Sequence, residues 1–272
     1  MQRTYPHGVT SWIDLEAPDI EVARGFYGQL FGWSFTEAMP PGAPGSYLIA
    51  SLGGRDVAGI APAPDGGEAA WNTYVAVDDA DATAAAVAAA GGTIVAPPED
   101  AGQAGRAATC RDPFGAEFRL WQAGRRLGAQ STNAPGTWNF SDLHTPDVPA
   151  ALAFYRPLFG WEADDMQGPL MLRVPGYGDH LESTVDPDIR KRQEFAPPGF
   201  ADVIGRIAPT APGEAPHWHV IFTVEDREQA VTAAERLGAT VLDRAETRWT
   251  RTARLRDPQG AEFTASQFTP PQ

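Results

Sequence analysis

Two short stretches in the C-terminal half bring together residue types that bind metals or move protons. His217 and His219 alternate along a strand-like segment and so share one face, and Asp142 and His144 do the same on another. Imidazoles and carboxylates in such a pattern admit a non-standard His/Asp metal site. The alternative is a set of hydrogen-bonding groups in a polar pocket. Asp14 and Glu16 also share a strand face, an arrangement that serves acid–base chemistry. Asp14 recurs as Asp142, however, which fits a part in the fold at least as well. Cys110 is the single cysteine, so no disulfide forms within the chain, and a thiolate metal centre is disfavoured. It sits in a strand-like stretch and reads as a small buried hydrophobe rather than a nucleophile. No glycine-rich phosphate loop, G-x-S-x-G elbow or H-E-x-x-H pair occurs.

The elements that must position these groups are repeated. Asp14-Leu15, Pro18-Asp19, Ala23, Phe26-Tyr27 and Leu30-Phe31-Gly32-Trp33 recur in one fixed register as Asp142-Leu143, Pro146-Asp147, Ala151, Phe154-Tyr155 and Leu158-Phe159-Gly160-Trp161. Trp71, Tyr74, Val75, Val77 and Asp79 recur as Trp218, Ile221, Phe222, Val224 and Asp226. Asp112-Pro113-Phe114-Gly115-Ala116-Glu117-Phe118 recurs as Asp257-Pro258-Gln259-Gly260-Ala261-Glu262-Phe263. The chain is therefore two copies of one domain, each copy a pair of βαβββ half-units. Each half-unit opens with a short strand. An acidic N-cap follows at Asp19, Asp79, Asp147 or Asp226, then an amphipathic helix ended by glycine, then further strands such as residues 46–51. Asp-Pro-x-Gly marks a tight turn before the last strand. Domains are expected at 1–124 and 135–272, joined by polar residues 124–135. The second copy carries an insertion, placed at residues 182–200, which reads as a surface loop or lid.

Composition narrows the function. The length of 272 residues suits two ordinary domains, and the net charge of -14 argues against nucleic acid or acidic membrane as partner. No apolar run approaches a membrane span and residues 1–7 lack a signal-peptide core, so a cytoplasmic protein is expected. Of eight tryptophans, Trp33 and Trp161 read as core, and Trp71 and Trp218 as core or half-unit seam. Trp12, Trp121, Trp138 and Trp249 are not repeated.

The doubled D-x3-A-x2-F-Y-x2-L-F-G-W and D-P-x-G-A-E-F motifs resemble those of the vicinal-oxygen-chelate (glyoxalase/bleomycin-resistance/dioxygenase) superfamily over nearly the whole chain. The resemblance implies an α+β fold. It comprises two tandem glyoxalase/bleomycin-resistance domains, each made of two βαβββ modules forming a curved sheet cup. The superfamily includes metal lyases, isomerases and dioxygenases as well as metal-free antibiotic-sequestering proteins, so the cup residues must decide the chemistry. Where its catalytic members hold a metal, this chain places Trp12, Asn72 and Arg119 in the first copy and Phe140, His219 and Thr264 in the second. A guanidinium repels a cation, and one imidazole does not make a three-ligand site. No metal of the usual kind and no cofactor are expected.

A first cup lined by Trp12, Asp14, Asn72, Tyr74, Arg119 and Trp121 offers flat faces and polar anchors for a planar aromatic ligand. The alternative is that Trp12 and Trp121 fill it. In the second cup Phe140, Asp142, His144, His217, His219 and Thr264 are the candidate ligand contacts. The two-copy layout without a metal triad resembles an actinobacterial type that accompanies anthracycline (daunorubicin and doxorubicin) biosynthesis. That resemblance implies a small aromatic ligand, a P450-type hydroxylase as partner, and a monomer or homodimer. The competing expectation is a lyase or oxygenase working from a non-standard site in the second copy.

Overall fold

A computed structural model describes residues 2–269. The first copy runs β1 (Thr10–Ala17), α1 (Ile20–Phe31), β2 (Ser34–Glu37), β3 (Leu48–Leu52) and β4 (Arg55–Pro62), then β5 (Ala70–Ala76), α2 (Ala80–Ala89), β6 (Thr93–Asp100), β7 (Gly105–Arg111) and β8 (Glu117–Ala123). The second runs β9 (Trp138–Thr145), α3 (Val148–Phe159), β10 (Glu162–Asp165), β11 (Leu170–Arg173), α4 (Tyr177–Thr184), α5 (Ile189–Arg192) and β12 (Val203–Pro209), then β13 (His217–Thr223), α6 (Arg227–Arg236), β14 (Thr240–Glu246), β15 (Thr250–Arg256) and β16 (Glu262–Phe268). The expected βαβββ order thus occurs four times. Each copy contributes one eight-stranded sheet, in the orders β2-β3-β4-β1-β5-β8-β7-β6 and β10-β11-β12-β9-β13-β16-β15-β14.

The helix starts follow from local chemistry. Asp19, Asp79, Asp147 and Asp226 each hold extended backbone and accept amide hydrogens of the first turn, satisfying donors that have no partner within the helix. Gly32 and Gly160 end α1 and α3 in the left-handed conformation, where a side chain would be strained.

The insertion differs from the expected loop. It falls between β11 and β12 and forms α4, α5 and a short 3-10 turn at Phe200–Asp202. Within residues 182–200 Ile189 is buried, and just ahead of them Tyr177 and Leu181 of α4 are buried as well. The insertion's charges pair on the outside, with Arg190 bonded to Asp179 and Glu182.

Two compact units emerge, and they do not follow copy order. One comprises residues 1–11, 73–128 and 141–218; the other comprises 12–72, 129–140 and 219–272. The residues that repeat explain this interleaving. In one unit the Tyr155 hydroxyl donates to Asp112 Oδ2 at 3.0 Å, while three successive amides, from Phe114 to Ala116, donate to Asp112 Oδ1. In the other unit Tyr27 donates to Asp257 Oδ2 at 3.0 Å, and Gln259 and Ala261 amides hold its Oδ1. Each helix tyrosine therefore clasps the Asp-Pro turn of the opposite copy. Trp161 donates to the Gly8 carbonyl and Trp33 to that of Gly136, each at 2.7 Å and again across copies. Burial raises both tyrosine hydroxyls well above their ordinary range and raises Asp112 as well, against the pull of its hydrogen bonds. Among the described residues, no helix is long and apolar enough to cross a membrane.

Candidate functional site

In the first copy β1 places Trp12 and Asp14 on one face. Asp14 is fully buried and accepts from Tyr47 Oη at 3.0 Å and from Asn72 Nδ2 at 3.0 Å. Trp12 Nε1 donates to the same Tyr47 oxygen at 2.9 Å. Trp12, Asp14 and Asn72 thus meet, and Tyr47, which the sequence reading did not select, joins them. β3 begins at Leu48, leaving Tyr47 just ahead of the strand. Gly59 lies opposite Asp14 in the β1–β4 register, and a Cβ there would stand 2.3 Å from the Tyr47 oxygen. Glycine makes the room in which the phenol lies.

Tyr74, Arg119 and Trp121 form a second group. The parallel β5–β8 pairing sets Tyr74 opposite Arg119. The guanidinium donates to Tyr74 Oη at 3.0 Å and lies over the ring, 5.6 Å from its centroid. Trp121 meets the same ring edge-on at 6.4 Å, and its Nε1 donates to the Arg126 carbonyl.

The second copy arranges the matching positions differently. Asp142 is buried, and the Arg206 amide and Nε donate to its two oxygens at 3.1 and 2.9 Å. Burial pushes its carboxyl above the ordinary range, and Arg206 pulls it back. His219 Nε2 lies 2.8 Å from Thr264 Oγ1, and Phe140 is half-buried on β9. His144 stacks on His217, with centroids 4.7 Å apart and planes inclined by 20°. Glu214 joins that pair, lying 3.8 Å from His144 and 3.9 Å from His217. The structure therefore separates the expected His/Asp set: Asp142 turns to Arg206, His219 to Thr264, and the other two histidines to Glu214. The Glu214–His217 spacing was a readable signal for the last. Arg206 and Tyr47 are identified only by strand register and loop path. Cys110 is buried, which pushes its thiol up to about 12 and leaves it in the protonated, non-nucleophilic form.

Residues 10–120 match the family model of the Glyoxalase/Bleomycin resistance protein/Dioxygenase superfamily, and residues 140–266 match that of the Glyoxalase-like domain. The anthracycline biosynthesis protein DnrV of Streptomyces peucetius is 34% identical, covering 96% of this chain and 94% of its own. The protein named as glyoxylase CFP32 in Mycobacterium tuberculosis (strain CDC 1551 / Oshkosh) is 36% identical over 98% of both chains. Among solved structures, the 2,3-dioxygenase LapB from Pseudomonas sp. KL28 superposes with a TM-score of 0.60 at 15% identity, covering 97% of this chain and 93% of its own. The Mn(II)-bound glyoxalase from Novosphingobium aromaticivorans gives 0.59 at 14% identity, covering 98% and 83%.

Proposed function

The chain belongs to the Glyoxalase/Bleomycin resistance protein/Dioxygenase superfamily, and from that premise we propose that it binds a flat aromatic small molecule of the anthracycline or polyketide kind. In this reading it works beside a biosynthetic hydroxylase or in resistance, and it uses no metal at the superfamily's usual positions. One observation carries the reading. Those positions hold Trp12, Asn72 and Arg119 in the first copy, and each is engaged by a neighbouring side chain rather than presented as a cation ligand. In the second copy the one imidazole among them, His219, is bonded to Thr264.

Such side chains recognise a planar ligand well. Trp12 offers a flat apolar face with Asn72 as a donor beside it, and in the other group Trp121 and Arg119 offer the same pair of features. The net charge of -14 favours a ligand bearing an amino sugar. The similarity to DnrV, an anthracycline biosynthesis protein, points to the same ligand class.

Titrating the intrinsic tryptophan fluorescence with daunorubicin tests this. Saturable quenching at micromolar concentration is expected, corresponding to about -8 kcal/mol of binding. Trp12→Leu should weaken it roughly two- to twelvefold, the value of about 0.5–1.5 kcal/mol of lost ring stacking. An unsaturable, linear quench shared by free tryptophan would refute the reading.

A further inference from the structure

We propose that His144, Glu214 and His217 form a binding site for one divalent transition-metal ion, at positions different from those the superfamily's metal enzymes use. The three side chains come from the end of β9, the turn before β13 and the first residue of β13. Each offers one ligand atom, and these atoms all lie within 4.8 Å of one another. His144 Nδ1 stands 3.8 Å from Glu214 Oε2, and His217 Nε2 stands 3.9 Å from Glu214 Oε1. These separations are too long for direct hydrogen bonds. Two ligand atoms each roughly 2.0–2.2 Å from a common ion stand about 3–3.5 Å apart, so small side-chain rotations close the site.

Local hydrogen bonds hold the ring. His217 Nδ1 lies 2.9 Å from the Ala215 carbonyl, which can only accept, so Nδ1 is the donor and Nε2 is the atom turned towards Glu214. A backbone carbonyl that fixes the tautomer in this way is a common support for a metal-binding imidazole. The Ala211 amide donates to Glu214 Oε2 at 2.7 Å and the Glu214 amide to the Ala211 carbonyl at 3.0 Å, which holds the carboxylate in a tight turn. Side-chain exposures of 18%, 22% and 36% leave the site open enough to exchange an ion with solvent.

Two nitrogens and one carboxylate oxygen suit zinc, cobalt or nickel better than magnesium or calcium. Three protein ligands leave a coordination position open for water or a substrate oxygen. Asp142, on the same strand face as His144, is tied to Arg206 and stands outside the set.

Chelator-stripped, tag-free full chain titrated with cobalt(II) gives the test. One equivalent is expected to bind with visible d–d absorption, and zinc(II) should displace it. His144→Ala and His217→Ala should each weaken binding by at least about thirtyfold, and Glu214→Gln by about tenfold. Unchanged unfolding midpoints would show that these partly exposed substitutions leave the fold intact. His219→Ala, at a superfamily position, should retain the ion. Absence of stoichiometric cobalt or zinc at about 100 µM overturns the proposal, and so does binding abolished by His219→Ala but not by His217→Ala. Daunorubicin quenching is read separately, so failure of the metal site and failure of the ligand reading are distinguishable.

Discussion

Asp14 and Asp142 occupy the same place in the two copies, both buried on the first strand, yet different side chains come to meet them. Asp14 accepts from Tyr47 and Asn72; Asp142 accepts from the backbone and side chain of Arg206. The cause lies one strand away. Where the second copy has Arg206, the first has Gly59, and the absence of a side chain there lets Tyr47 lie over the strand. A carboxylate kept in both copies thus serves two environments, one built on a phenol and an amide, the other on a guanidinium. The lesson is that a repeated residue fixes where a polar group sits, while its unrepeated neighbours fix what that group can do.

The largest test of this comparison removes the cation. Arg206→Ala leaves Asp142 buried with its side-chain partner gone, and should destabilise the protein by about 2–3 kcal/mol in urea unfolding. That is below the ~3–5 kcal/mol typical of a fully buried pair, because the Arg206 side chain is 40% exposed and water replaces part of it. An unchanged unfolding midpoint would mean that Arg206 does not support the carboxylate.

A smaller effect is expected from adding one carbon in the first copy. Gly59→Ala drives a methyl group to 2.3 Å from the Tyr47 oxygen, so the phenol must move off Asp14 and Trp12. The expected loss is about 1–3 kcal/mol, with a change in tryptophan emission as the Trp12 donor loses its acceptor. Wild-type stability and emission would break the proposed link between Gly59 and Tyr47.

The subtlest effect is in pH dependence. Burial raises the Asp142 carboxyl above its ordinary value, so the folded state binds more protons than the unfolded chain between those two values. Stability contributed by this group is therefore lost as pH climbs through that window, which begins near the unfolded value of about 4, and is constant above it. Relative to Asp142→Asn, the wild type should lose stability across that window. Parallel stability–pH curves for the two proteins would remove the effect.

Much of the architecture was readable from the repeat. The acidic N-caps, the glycine helix ends, the Asp-Pro turns and the buried Trp33 and Trp161 all follow from local rules that act within a few residues. Less of the site was. Strand alternation alone puts Trp12 and Asp14 on one face, whereas the contact of Asn72 with Asp14 depends on how β5 is placed. Tyr47 lies in a connection, and no periodicity says where a loop residue points. The segment 182–200 read as a surface loop, and within it only Ile189 is buried; its short helical turns were hidden by the prolines and charges.

What the sequence determined by itself was a doubled βαβββ plan, which depends only on residue identity in a fixed register. The tertiary structure alone decided that Tyr27 clasps Asp257 and Tyr155 clasps Asp112, so that the repeated motifs join opposite copies. It also decided that His144 and His217 meet at Glu214 while Asp142 turns to Arg206. The reason is physical. Capping and turns are settled by neighbours along the chain, whereas the partner of a buried polar group is whichever donor the packing of distant strands and loops brings within about 3 Å.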